Sequence, residues 1–402
     1  MNTRVSDVQI GNPAPLNSYV FKVASRCNLN CTYCYVYNQG DDTWRSRPAR
    51  MSDKTFEEAV ERIREFALSE GRSRLSFSFH GGEPCLIGPI TFDRWCRFAR
   101  ERLSFLDLSL AIQTNATLLD EAWCSVLKEH QVAVGVSIDG PREVNDRARI
   151  DHAGKGSYDD IVRGLAFLRK QDINFTLLCV IPIGAEPLGV HQHLLSLDPK
   201  RINYLLPDSR HSIHGQSTNI EISTPCADFL IPVFEHWWQQ GTMSLRIPIF
   251  IQIARLILGG ESDLDTLGGG PLSFIFIETD GDIESLDVLK ICESGLANTH
   301  LNVHSQGFDV LTETPSFFRD VLVGSVPLPS ACVNCPESTT CAGGYLPHRY
   351  RPGSGFNNAS IWCADILKLF SHIRARLNVT PHETILRRRA LDELWRLERR
   401  EQ

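Results

Sequence analysis

The 402-residue chain predicts an α/β fold, a partial (β/α)6 barrel followed by a smaller second domain. Three observations predict it. Between Ser18 and Pro207, short apolar runs alternate with amphipathic stretches six times, the pattern of parallel strands joined by helical crossovers. After Pro207 the alternation stops, and a polar loop, helices and a hairpin-like run follow. A composition of 42% hydrophobic and 22% charged residues is enough to build one large core and a smaller one.

The strands are read at 19–24, 75–79, 108–113, 132–138, 175–181 and 202–206. A doubly wound open sheet would give the same string, and in either architecture chemistry gathers where strands end. Between them, 52–69 reads as a helix with cap chemistry at Ser52 and Thr55, and 157–170 as a helix capped by Ser157. The polar loop 208–225 leads to amphipathic helices at 226–240 and 247–258. The run 274–279 with Asp280-Gly281-Asp282 predicts a hairpin, and helices are expected at 364–377 and 383–401. The expected divisions are an extension (1–16), the barrel (17–222), a helical bridge (223–270), the second domain (271–375) and a C-terminal helix (376–402).

A net charge of −7 gives no basic field for nucleic acid. The Arg-rich stretch 387–400 is interleaved with Glu and Leu, as on a solvated helix. No basic segment followed by an apolar run opens the chain, and the apolar stretch 247–258 is short and interrupted by Gln252 and Arg255. A cytoplasmic protein with no membrane span and no nucleic-acid partner is expected.

Thirteen cysteines in such a chain argue against a disulfide scaffold. Cys85, Cys96, Cys124, Cys179, Cys226 and Cys292 are scattered singly and read as small buried residues. Cys27, Cys31 and Cys34 instead follow the first strand directly, placing three thiolates on one loop at the barrel mouth. Three ligands leave one iron of a 4Fe-4S cubane open to the amino and carboxylate groups of a ligand. Zinc with a fourth ligand from elsewhere is the alternative. Tyr33, with Tyr35 and Tyr37, supplies flat apolar surface suited to lie beside an adenine.

These residues resemble the radical S-adenosylmethionine (SAM) superfamily. Gly81-Gly82-Glu83-Pro84 at the second strand end resembles the element whose backbone and Glu hold the SAM amino group. Gln113-Thr114-Asn115 ends the third strand, and Ser137-Ile138-Asp139-Gly140-Pro141 ends the fourth, resembling the segment whose Ser and Asp approach SAM. The resemblance implies cofactor contacts at Tyr33, Gly81, Gly82, Glu83, Pro84, Asn115, Ser137, Asp139 and Arg149, the last as guanidinium partner of the SAM carboxylate.

Cys332, Cys335, Cys341 and Cys363 supply four thiolates, a closed site. They resemble the C-terminal SPASM module of peptide-modifying radical SAM enzymes, which holds two auxiliary clusters. This chain has Tyr345 where that pattern expects a further Cys, and Leu286 where a Cys precedes the hairpin Asp. One auxiliary [4Fe-4S] cluster is therefore expected, with a zinc knuckle as alternative. Asp287 matches the residue that acts as base on the substrate in sulfatase-maturating relatives.

The segments 341–358, 37–45 and 278–287 resemble FxsB-type maturases of ribosomally made peptides. That resemblance implies a C–C crosslink, a cyclophane, between an aromatic ring and a residue Cβ in a precursor peptide. An anaerobic sulfatase-maturating enzyme is the nearest rival, and a non-catalytic zinc-binding protein is the rival of another class. Electrons would come from a reductant protein such as flavodoxin or ferredoxin. With 26 residues before Cys27, a separate leader-recognition protein or direct binding to the second domain is expected. His211, His214, His348, Arg349 and Tyr345 are candidates to line the peptide cleft.

Overall fold

The computed structural model describes residues 16–211, 223–240, 245–313, 315–324 and 326–398. Six parallel strands appear where the apolar runs predict them: β1 (Ser18–Ala24), β2 (Arg74–Gly81), β3 (Asp107–Thr114), β4 (Ala133–Ser137), β5 (Phe175–Val180) and β6 (Arg201–Leu205). The helices between them are α1 (Asp53–Ser69), α2 (Pro89–Arg102), α3 (Glu121–Glu129), the single turn α4 (Arg142–Asn145), α5 (Tyr158–Lys170) and α6 (Pro187–Ser196).

The six strands lie side by side in sequence order. A doubly wound sheet would reverse its order midway, so that alternative is excluded. Every crossover steps the same way, and because such crossovers are right-handed they put all the helices on one face. A sheet covered on one face curls around the other, giving the partial barrel.

The two faces differ in chemistry as that geometry requires. Outward residues such as Tyr19, Phe21, Phe77, Phe79, Leu110 and Ile112 are buried under the helices. On α1, Phe56 stacks on Trp95 of α2 at 4.5 Å and meets Phe21 at 5.1 Å. Inward positions carry small or polar residues instead: Ser76, Ser78 and His80 on β2, Ala111 and Gln113 on β3, Gly135 and Ser137 on β4. The result is a lumen rather than a packed barrel core.

Ser52 caps α1 as expected, its hydroxyl accepting from the Thr55 amide at 3.1 Å. Ser157 precedes α5 without capping it. Its hydroxyl donates to the Arg149 carbonyl at 2.7 Å, and Asp146 accepts from the Tyr158 amide at 2.9 Å instead. Sequence placed the residue correctly but assigned its hydrogen bond to the wrong backbone group.

The later elements are α7 (Pro225–Gln239), α8 (Pro248–Ile257), β7 (Phe274–Ile277), β8 (Asp282–Glu284), β9 (Asn298–Asn302), α9 (Asp309–Glu313), α10 (Phe317–Leu322), α11 (Cys363–Leu377) and α12 (Pro381–Glu398). The hairpin forms on Asp280-Gly281, with Gly281 at φ +88°, a value that suits glycine. Its first strand pairs in parallel with β1, Ser18 opposite Phe274 and Phe21 opposite Ile277. One nine-stranded sheet therefore runs from the barrel into the region of the late cysteines. No described helix is long and apolar enough to cross a membrane.

Candidate active site

The six scattered cysteines are buried, as their reading predicts. Cys27, Cys31 and Cys34 are half-buried on the loop that leaves β1. The loop is clamped on both sides. Asn30 and Thr32 amides donate to the Ile150 and Ala148 carbonyls at 2.7 and 2.9 Å, and His152 meets the Cys27 carbonyl at 2.9 Å. The Leu29 amide and the Asn115 side chain donate to Cys27 Sγ at 3.3 and 3.8 Å.

On the other side the loop root lies against Gly81 and Gly82. Their neighbouring amides continue the β1–β2 ladder, Gly82 to the Ala24 carbonyl at 2.7 Å and Glu83 to that of Arg26 at 3.0 Å. A Cβ at Gly82 would sit 2.0 Å from Tyr37 Oη and 2.3 Å from the Arg26 carbonyl; one at Gly81 would sit 2.4 Å from the Ala24 carbonyl. The glycine pair thus sets the distance between strand end and cysteine loop, and the Gly82 and Glu83 amides hold the loop root.

Glu83 is buried, and its carboxylate accepts from Cys85 N (2.9 Å), Thr114 Oγ1 (2.6 Å) and Asn115 N (2.8 Å). Burial pushes its carboxyl above the ordinary value, opposed by these bonds. It ties the ends of β2 and β3 together beside the cysteines. Pro84 begins the 3-10 turn that follows.

Arg149 does not keep its fork free for a ligand carboxylate. Nε and Nη2 grip Asp139 at 2.9 and 3.1 Å, both side chains buried. Tyr33 donates its hydroxyl to the same carboxylate at 2.5 Å, the Val180 amide also donates to that carboxylate, at 3.0 Å, and the Arg149 guanidinium covers the Tyr33 ring at 5.5 Å. Asp139 is therefore saturated, and it and Arg149 brace Tyr33. Ser137 faces the lumen and accepts from Gln113 Nε2 at 2.9 Å. Gln113 lies flat across Gly135, where a Cβ would meet its Oε1 at 2.1 Å.

Asp287 lies at the lumen edge, buried, one oxygen accepting from Lys22 Nζ at 2.7 Å and Tyr35 Oη at 2.5 Å. Lys22 and His80 are register partners on β1 and β2. Burial raises the Asp287 carboxyl, but the Lys22 and Lys290 ammonium groups outweigh it and hold the group below its ordinary value. Burial, aided by Lys22, lowers His80 to about 4, so its ring is neutral. Sequence reasoning missed Lys22 and His80. A lysine and a histidine inside otherwise apolar or small-residue strands were the signal for them.

Cys332, Cys335, Cys341 and Cys363 border one small cavity together with Glu337 and Ser360. Glu337 beneath it is held by Arg374 at 2.5 and 2.8 Å. Leu286 and Tyr345, the two departures from the cysteine pattern, pack into one apolar cluster with Leu289, Ile291 and Val321. The three-thiolate set, open at one position, and the closed four-thiolate set have the donor chemistry of the two iron–sulfur groups expected of them.

Tyr345 and His348 line a second, larger cavity. Arg349 turns away from it, donating to the Phe356 and Pro327 carbonyls at 3.1 and 2.7 Å. His211 sits against the Ala359 carbonyl at 2.9 Å, and His214 lies outside the described residues.

The family model of the radical SAM superfamily matches residues 21–188. A cysteine-type anaerobic sulfatase-maturating enzyme of Clostridium perfringens is 25% identical over 370 residues, 90% of this chain and 97% of that one. An uncharacterised protein of Synechocystis sp. is 31% identical over 377 residues, 89% and 90%. The solved structure of anSMEcpe with bound AdoMet superposes with a TM-score of 0.77 at 24% identity, covering 90% of this chain and 98% of that one, which shows the shared fold. With that fold, the three-cysteine loop at the end of its first strand and these matches, the chain belongs to the radical SAM superfamily of enzymes.

Proposed function

We propose that the chain oxidises a residue of a peptide at its Cβ, with a SAM-binding [4Fe-4S] cluster on Cys27, Cys31 and Cys34 and an auxiliary one on Cys332, Cys335, Cys341 and Cys363. The observation that carries it is the three-thiolate loop opening onto a lumen whose edge holds a buried, ionised carboxylate, Asp287. When bound, SAM and the reduced cluster would supply one-electron chemistry able to take a hydrogen atom from an unactivated carbon. The chain's own residues do the rest. Glu83 and Asn115 fix the strand ends beside the loop, and the Arg149–Asp139 pair holds Tyr33. Asp287 stands ready to take the proton that oxidation releases, kept ionised by Lys22, and the electron lost with it would pass to the auxiliary cluster. A reductant protein such as flavodoxin or ferredoxin would supply the electron, and a separate recognition protein would present the peptide leader.

Similarity to sulfatase-maturating enzymes supports formylglycine formation from Cys or Ser. The specific observation for a second product is the apolar packing of Leu286 and Tyr345, which replaces two of the expected cysteine positions. With the resemblance to FxsB-type maturases, it supports a C–C crosslink between an aromatic ring and a Cβ. Incubating the holoenzyme anaerobically with candidate peptides separates the products. A crosslink removes two hydrogens and leaves no aldehyde; formylglycine reacts with a hydrazide probe. SAM cleavage without change in any peptide would sink the peptide reading.

A further inference from the structure

Lys22 is buried near the end of β1, its ammonium 2.7 Å from Asp287 Oδ2 and 3.2 Å from Tyr35 Oη. It also lies over the Tyr35 ring at 5.4 Å and the Phe276 ring at 5.8 Å. Tyr35 follows Cys34 directly. The turn that carries both is fixed, the Cys34 amide donating to the Cys31 carbonyl at 3.0 Å and the Asn38 amide to the Cys34 carbonyl at 2.9 Å. One tyrosine side chain therefore spans the gap between the Lys22–Asp287 pair and the cysteine loop. The other charges around the pair are balanced elsewhere. Lys290, on the same turn as Asp287, is held by Glu278 at 2.5 Å and Glu284 at 2.7 Å, and Arg47 pairs with the same two carboxylates at 2.8 and 2.9 Å. His80 is neutral, and burial pushes the carboxyl of Asp265, a further acid within the field of Asp287, up to about 6.

A buried charge acts on a nearby cluster because little solvent screens its field, and net charge is among the factors that set the potential of an iron–sulfur group. We propose that the Lys22–Asp287 pair sets the reduction potential of the cluster on Cys27, Cys31 and Cys34, so that the proton taken by Asp287 in one turnover favours entry of the electron that starts the next. While Asp287 is ionised the pair is neutral. Once Asp287 has accepted the substrate's proton, Lys22 stands uncompensated, and its positive charge favours the reduced cluster. The balance is one electron from the reductant protein, taking [4Fe-4S]2+ to [4Fe-4S]+, and one proton from the substrate, retained on Asp287; the substrate's own electron leaves through the auxiliary cluster. At a separation on the order of 10 Å and an effective dielectric constant of about 20, one charge shifts a one-electron equilibrium roughly tenfold.

The inference rests on Asp287 as proton acceptor but is tested without peptide. The reconstituted holoenzyme is titrated anaerobically with dithionite and redox mediators and followed by electron paramagnetic resonance, the signal of the open cluster being the one absent from Cys31→Ala. At pH 7.0, Asp287→Asn should shift the equilibrium about tenfold toward the reduced cluster, a rise of about 59 mV for a one-electron couple. At pH 8.5, where Asp287 stays ionised without its counter-ion, Lys22→Met should shift it by a similar factor the other way. Lys22→Arg, which keeps the charge, and the double variant Lys22→Met/Asp287→Asn should both stay close to wild type, and the auxiliary cluster in the same samples should move far less. Loosened packing that admits water would shift both single variants in one direction. That result, or no shift in either, overturns the inference; where one variant loses its iron, the sign of the other against wild type at the same pH decides. Opposite shifts with no peptide modified leave the electrostatic coupling standing and remove the functional reading alone. Peptide modified by wild type with no shift in either variant removes only the coupling.

Discussion

Asp287 shares one carboxylate oxygen between Lys22 and Tyr35; Asp287 and Lys22 are buried and Tyr35 is half-buried. Its folded pKa lies below the ordinary value, so the carboxylate is ionised at neutral pH, as a proton acceptor must be. The linkage follows: the stabilisation is complete above the unfolded value of about 4 and is lost only as pH falls through the lower folded value. Asp287→Asn should cut modified peptide by about 100-fold or more while 5′-deoxyadenosine still forms, read by chromatography of both products. It should also cost on the order of 3 kcal/mol in urea unfolding, because Lys22 is left buried and unpaired. Asp265 behaves in the opposite sense. Burial, with Asp208 and Asp287 nearby, pushes its carboxyl up to about 6 against the neighbouring Tyr345 hydroxyl. A raised carboxyl makes the fold less stable as pH rises from about 4 through 6. Asp265→Asn should therefore raise stability at pH 8 by on the order of 2–3 kcal/mol and leave it nearly unchanged at pH 4. Melting curves at the two pH values would show it; equal shifts would count against it.

The strand ends and the cysteine loop act as one element because Gly81 and Gly82 let them touch. Gly82→Ala would press a methyl group to 2.0 Å from Tyr37 Oη and 2.3 Å from the Arg26 carbonyl. That variant should bind about half the wild-type iron, keeping the auxiliary cluster, and lose SAM cleavage. Full iron with normal cleavage would show that the loop tolerates displacement. Such elements were legible in the sequence to a useful degree. The strands stood out because apolar residues alternate with Ser, Ala and Gln along 75–79 and 108–113, a period of two that only a strand buries on one face. The cysteine loops stood out by spacing. What sequence could not give was partner choice. Arg149 was matched to a ligand carboxylate, yet Asp139, ten residues away, takes its fork; charge alone does not say which carboxylate arrives at bonding distance. Ser157 erred for the same reason, its hydroxyl finding the Arg149 carbonyl across a turn.

At the scale of the molecule, β7 joins β1 across some 250 residues of chain and makes one sheet of barrel and hairpin. A pairing so distant leaves no local trace in sequence, which is why the hairpin reads there as the start of something separate. Its consequence is that Asp287, carried just after the hairpin, is placed against Lys22 of β1 and Tyr35 of the cysteine loop. The larger cavity is equally illegible, since its lining comes from ten separate stretches of chain. The account as a whole depends on a redox-active cluster on Cys27, Cys31 and Cys34. The direct measurement is 5′-deoxyadenosine formed from SAM by anaerobically reconstituted, dithionite-reduced protein, wild type against Cys31→Ala. The account predicts steady formation by the wild type and none above background by the variant, which should retain the auxiliary iron; equal formation by both would contradict it.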